Sequence, residues 1–284
     1  MGNNQLQQEY FGHQHITVIQ PARGWKMINL RELWAYRELL WVLTTRDIKV
    51  RYKQTVLGAG WAVLRPVLSM LIFTIVFGRL AKLPSDGAPY PVFVFAALLP
   101  WTFFAGAIGA SGGSLIGSAS LVSKVYFPRL IIPLSSVGAG VVDFLIATGV
   151  LLLLMIWYGV APTKNLFAYP ILLVLLLITT LGTGTLLSSL TVSYRDFTHI
   201  TPFLVQIWMF ATPVVFPVSL VPPEWHWLIY ANPMTGVIEA FRSAFLGKPF
   251  DWIGIGSSAF VSVTILAIAI AYFERVERRF ADII

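Results

Sequence analysis

The chain has no cysteine among its 284 residues, which excludes disulfides, thiolate metal centres and cysteine nucleophiles. Charge is scarce too: 12% of residues are charged, against roughly 25% in a soluble domain, while 57% are hydrophobic. The four histidines form no site. His13 and His15 make a weak metal-like pair in a solvated tail with no further ligand nearby, and His199 and His226 fall on opposite sides of the apolar segments. No cluster of paired carboxylates is present to build a hydrolytic site. Nor is there a G-x-x-x-x-G-K-[ST] phosphate loop, so the chain alone is not expected to hydrolyse ATP.

What the sequence has in quantity is long apolar runs. Six of them cover about 57–77, 91–110, 130–158, 167–190, 198–216 and 252–273. A hydrocarbon core of about 30 Å takes around 20 residues of helix, and helices satisfy their own backbone polar groups in lipid. The expectation is an all-α integral membrane protein with six transmembrane helices. Fifteen of the 20 Lys and Arg residues then fall on the side of the termini and five on the other. By the positive-inside rule both termini are expected in the cytoplasm, and the net charge of +7 is a topology signal with no bearing on nucleic acid. The first fifty residues lack an apolar h-region, so no signal peptide is expected.

Between Asn29 and Lys53 the chain is too polar to span and too apolar for a free tail, in contrast to residues 1–28. Leu30, Leu33, Trp34, Leu40, Trp41 and Ile48 fall near one helical face, interrupted by Arg37, with Arg46 among the charges elsewhere. This pattern predicts an amphipathic helix in the membrane interface, with Trp at headgroup level; a plain anchor would have the same pattern. In the connection Ser111 to Pro133, residues Leu115, Ala119, Val122 and Tyr126 recur at helical spacing until Pro128 stops the helix. That suits either docking to another protein or an ordinary loop helix.

The connection Pro217 to Asp251 is rich in aromatics and proline, and its helical part, about Met234 to Leu246, is too short to cross a bilayer. A re-entrant or interfacial segment is expected there. Glu239 and Arg242 lie three apart and can pair on one helix face, as a structural clip or as part of a gate. Asp143 is the clear ionisable residue inside a span, and its burial costs several kcal/mol unless it is paired or wetted. A bond to a neighbouring helix's hydroxyl would satisfy it, and ion coupling is the other role open to it.

Several ordered blocks carry a resemblance. The run from Arg46 to Gly58 (RDIKVRYKQTVLG), with Trp61 and Pro66 after it, resembles the entry segment of ABC type-2 permeases that export polysaccharides. The blocks LLPWTFF from Leu98, KVYFPR from Lys124 with Pro133 beyond it, YRDF from Tyr194, TPV from Thr212 and the closing FERVERRFAD from Phe273 are similar to that family in order and position. The resemblance implies a permease for O-antigen, capsule or teichoic-acid chains on a lipid carrier. It implies two permease copies paired with two ATP-binding cassette subunits, which hold ATP and Mg; no cofactor is expected in this chain.

Carried onto these residues, it makes 29–53 the interface helix, 54–284 the six-helix domain, 114–126 a coupling helix and 217–247 the outer re-entrant region. Coupling would involve Leu115, Val122, Lys124, Tyr126 and Arg129, with Leu115 and Val122 filling a groove on the ATPase. The first and fifth spans would line the path. Phe73 and Phe77 are one turn apart, and Phe203, Gln206 and Phe210 share a face, so their rings are candidates to stack on a sliding sugar chain or to pack against helices and lipid. A drug or lipid exporter of the same superfamily is the alternative. A membrane glycosyl- or acyltransferase should show an acidic or histidine cluster, and a secondary transporter several intramembrane charges.

Overall fold

The computed structural model describes residues 30–53, 57–58 and 60–277. The tail 1–28 with His13 and His15, Asn29, and the closing Arg278 and Arg279 lie outside the described residues. All regular elements among the described residues are helical. Helices α1 (Leu30–Ala35) and α2 (Arg37–Tyr52) precede α3 (Gly60–Phe73), which runs on through a π-helical stretch, Thr74–Leu80. Then come α4 (Tyr90–Gly117), the short α5 (Ala119–Lys124), α6 (Ile131–Trp157) and α7 (Tyr169–Ser193). The chain closes with α8 (Phe197–Phe210), α9 (His226–Tyr230), α10 (Pro233–Leu246) and α11 (Trp252–Glu277).

Five segments are long and apolar enough to cross a bilayer: Gly60–Leu80, Tyr90–Gly117, Ile131–Trp157, Lys164–Ser193 and Trp252–Glu277. The chain is a multi-pass membrane protein. The fifth of the six expected spans differs. Its helix α8 has 14 residues and rises only about 21 Å, short of the hydrocarbon thickness. Pro213 is the local cause, because it offers no N–H to continue the ladder and pushes Thr212 away from helical geometry.

Helix α4 is the centre of the bundle. It packs along α6 and α7, carries α3 and α8 on its flanks, and meets α10 near its start. Its residues from Val92 to Trp101 are buried without a break, as expected of a helix that is apolar all round. Helices α7 and α11 join through small and hydroxylated residues, with Thr179 Oγ1 and Ser262 Oγ 2.7 Å apart. Such seams hold helices together where lipid offers no hydrophobic drive.

A second core forms at one end of the bundle. Leu43 of α2, Leu115, Val122, Phe127, Ile131, Ile132, Val192 and Phe273 gather the ends of α4, α7 and α11 around the start of α6. At the opposite end α10 is enclosed by the bundle. Asn232 caps it, accepting from Met234 N at 3.0 Å, and Pro233 follows at the first helical position. Gly247 ends it at φ 70°, a left-handed geometry that favours glycine. Within α10, a side chain at Gly236 would drive its Cβ into the Gly254 carbonyl, so only glycine permits this crossing with α11. The Gly236 N–H donates to Ser258 Oγ at 2.9 Å, which satisfies a first-turn amide across the interface.

Candidate functional site

The predicted interface helix is two helices that lie on the second core. Leu33, Tyr36, Leu39 and Leu40 pack inward around buried Leu43. Trp34 and Trp41 point the other way, each 70% exposed. The apolar stripe read from the sequence is therefore divided: leucines face the bundle, and the indoles are free for a lipid headgroup layer. Arg37 donates to Trp34 O at 3.3 Å with its guanidinium 5.6 Å from that ring. Arg46 pairs with Asp47 at 2.8 Å, and Asp47 accepts from Ser135 of α6 at 3.3 Å.

The coupling segment departs from expectation. It is not one helix over 114–126: α4 continues to Gly117, Ser118 breaks the path, and α5 covers only Ala119–Lys124. Leu115 is fully buried and Val122 4% exposed, both inside this chain's own second core. They cannot fill a partner's groove, because their helical face is already used to seat the segment on the bundle. Arg129 is likewise engaged at home. Its Nη1 donates to the Glu277 carbonyl and its N–H to Glu277 Oε1 at 3.3 Å. The outward surface is instead Ile116, Ser120, Ser123, Lys124, Val125 and Tyr126. Periodicity left docking and an ordinary loop helix open; of its stripe the fold buries Leu115 and Val122, to which the resemblance had given the groove-filling role, and exposes Tyr126.

At the opposite end a buried guanidinium holds the structure. Arg242 on α10 donates through Nη2 to Val214 O at 2.6 Å and through Nη1 to Phe216 O at 3.1 Å and Glu239 Oε1 at 2.7 Å. Its Cζ lies 3.9 Å from the Phe93 ring centroid. These contacts tie the broken segment after α8 to α10 and α4, which is the geometry of a clip. Burial works against the charge of Arg242, and Glu239 sustains it.

Two further residues, not singled out in the sequence, organise this end. Asn232 Oδ1 accepts from Trp208 Nε1 at 2.9 Å while its Nδ2 donates to Thr212 Oγ1 at 2.8 Å. Asp251 caps α11 through the N–H groups of Ile253 and Gly254, both at 3.1 Å, and accepts from Tyr230 Oη at 2.6 Å. Burial, reinforced by that bond to a carboxylate, pushes the Tyr230 phenol up to about 12. An Asn-Pro pair and an Asp before an apolar run are cap signals, and could have marked both positions.

Asp143 of α6 pairs with Arg51 at the end of α2, not with a hydroxyl. Its other oxygen, Oδ1, is buried without a hydrogen-bond partner. The pair lines a crevice of about 410 Å³ between α2, α3, α4 and α6. The aromatic candidates separate into two groups. Phe73 and Phe77 meet edge to face at 5.6 Å and lean on the main core. Phe203, Gln206 and Phe210 lie on the open face of α8, with Phe203 64% and Phe210 57% exposed. The structure does not bring the two groups together within one chain.

A bundle of long apolar helices defines a multi-pass membrane protein. Residues 38–246 match the ABC-2 type transporter family model, and the chain belongs to that family. It is 32% identical over 260 residues to the O-antigen export system permease protein RfbA of Myxococcus xanthus, spanning 90% of this chain and 99% of that protein. An RfbA of Klebsiella pneumoniae is 28% identical over 87% of this chain and 95% of its own length. The polysialic acid transport protein KpsM of Escherichia coli is 25% identical over 82% and 91%.

Proposed function

We propose that this chain is the permease subunit of an ATP-driven exporter that moves a lipid-linked polysaccharide, of O-antigen or capsule type, across the bacterial cytoplasmic membrane. The supporting observation is the match, at 32% identity, over 99% of the length of a permease named for O-antigen export. The chain is a transport component and not a catalyst. Two copies assemble with two cassette ATPases, which hold ATP and Mg; α8 and the irregular segment after it together make a sixth crossing, so both termini face the cytoplasm. Ile116, Val125 and Tyr126 present apolar surface beside Lys124, which suits the segment to receiving motion from such an ATPase. The exposed ring face of α8 at Phe203 and Phe210, with Gln206 between them, suits the lining of a path completed by the second copy. Deleting the gene in its host tests this reading. Surface polysaccharide should disappear while its lipid-linked form accumulates in the inner leaflet; unchanged surface polysaccharide would overturn the proposal.

A further inference from the structure

The ion pair of Asp143 uses only half of the carboxylate. Oδ2 bonds Arg51 of α2, whereas Oδ1 is buried without a hydrogen-bond partner, which is destabilising. Arg65 of α3 lines the same crevice of about 410 Å³. It is exposed, makes no ion pair among the described residues, and leans only towards the Trp61 ring, 5.7 Å from its centroid. A guanidinium with no carboxylate and a carboxylate oxygen with no donor therefore face one cavity.

The turn that carries Arg65 has a hinge beside it. Pro66 lies inside α3 and has no N–H for the Ala62 carbonyl, so a rung is missing between residues 60–65 and the rest of the helix. Sharp helix kinks sit at such prolines. Only Pro66 and Met70 of α3 are buried, so the bundle holds its first turn weakly. There is also room. Gly106 of α4 lines the cavity, and a Cβ there would meet nothing within 4 Å.

We propose that the first turn of α3 swings about Pro66 to bring Arg65 onto Asp143, and that Arg65 and Arg51 hold this carboxylate in turn. One carboxylate neutralises one guanidinium. Two on it at once would leave a net positive charge against Pro66, Phe103, Ala107 and Phe144, an apolar wall where uncompensated charge is costly. Closure by Arg65 therefore releases Arg51, whose place in the last turn of α2 lets its head reach the polar side of the membrane. Helix α2 also rests on the second core through Leu43, alongside Leu115 and Val122. The exchange thus links the tilt of the first span to the end of the molecule that carries the coupling segment, whatever the permease transports.

Distances between spin labels on the full chain in nanodiscs test this, and because the sequence has no cysteine only introduced cysteines take label. Gly60→Cys, before the hinge, is paired with Leu145→Cys, exposed on α6. Leu71→Cys with Leu145→Cys, beyond the hinge, is the control. The first pair should show two distances and the control one. Arg65→Gln should abolish the shorter distance, and so should Gly106→Leu, which fills the space, each at an unchanged melting temperature. Arg51→Gln removes the competitor and should raise the shorter population about threefold or more. A single distance for the first pair, two for the control, a shorter distance that survives Arg65→Gln or Gly106→Leu, or one that fails to rise in Arg51→Gln would overturn the proposal. The readout is geometry without transport, so its failure leaves the export reading standing.

Discussion

Arg242 shows how one residue can decide a membrane protein's local shape. The segment after α8 has left helical geometry, so the carbonyls of Val214 and Phe216 need donors from elsewhere, and Arg242 supplies them. Replacing it with Met keeps much of the volume and removes every donor. Arg242→Met should lower stability by about 3 kcal/mol or more, since bonds to charged groups contribute about 1.5–3 kcal/mol each. Thermal unfolding of purified protein reads this directly. The pairing of Glu239 with Arg242 was legible from their spacing of three, but the larger part of the clip was not. Its acceptors are backbone carbonyls 26 and 28 residues away, and sequence periodicity carries no information about such contacts. Asp143 is similar. The sequence marks it as costly, whereas its partner Arg51 lies 92 residues earlier in a helix read as interfacial.

Among the elements, length and hydropathy made α3, α4, α6, α7 and α11 readable, because crossing lipid demands about 20 apolar residues whatever the packing. The same signal overstated α8, where Pro213 sits inside an unbroken apolar run. It also could not show orientation. Leu115 and Val122 lie at helical spacing, yet only the fold reveals that they face inward. Leu115→Ala or Val122→Ala should therefore destabilise the permease itself, with Leu115→Ala costing about 2–5 kcal/mol. The triple variant with Ile116, Val125 and Tyr126 changed to Ala should fold normally and lose coupling of ATP hydrolysis to transport. Paired measurements of melting temperature and stimulated ATPase rate distinguish the two sets. The α10–α11 crossing makes a separate demand. Gly236→Ala must push apart two backbones already in contact, so it should sharply reduce the yield of folded protein, measurable by size-exclusion chromatography.

For the whole molecule, the division of apolar surface is informative. Helix α4 is enclosed, whereas α3 and α8 keep wide apolar faces open. Lipid, a second copy or a transport path can cover such a face, and the aromatic residues on α8 discriminate among these. Phe203→Ala with Phe210→Ala removes rings that are mostly exposed, so the single chain should keep its melting temperature. If the rings line the path, export per folded complex should fall several-fold while ATP hydrolysis continues.

The central claim is ATP-driven export of a lipid-linked polysaccharide, and reconstituted transport tests it most directly. The permease and its cognate cassette ATPase would be placed in sealed vesicles with lipid-linked O-antigen or capsular glycan labelled on the ATPase side. We expect the glycan to become accessible to an impermeant glycosidase on the far side only when ATP is hydrolysed, and not with a hydrolysis-defective ATPase. Active hydrolysis with the glycan still confined to its original side would contradict the claim.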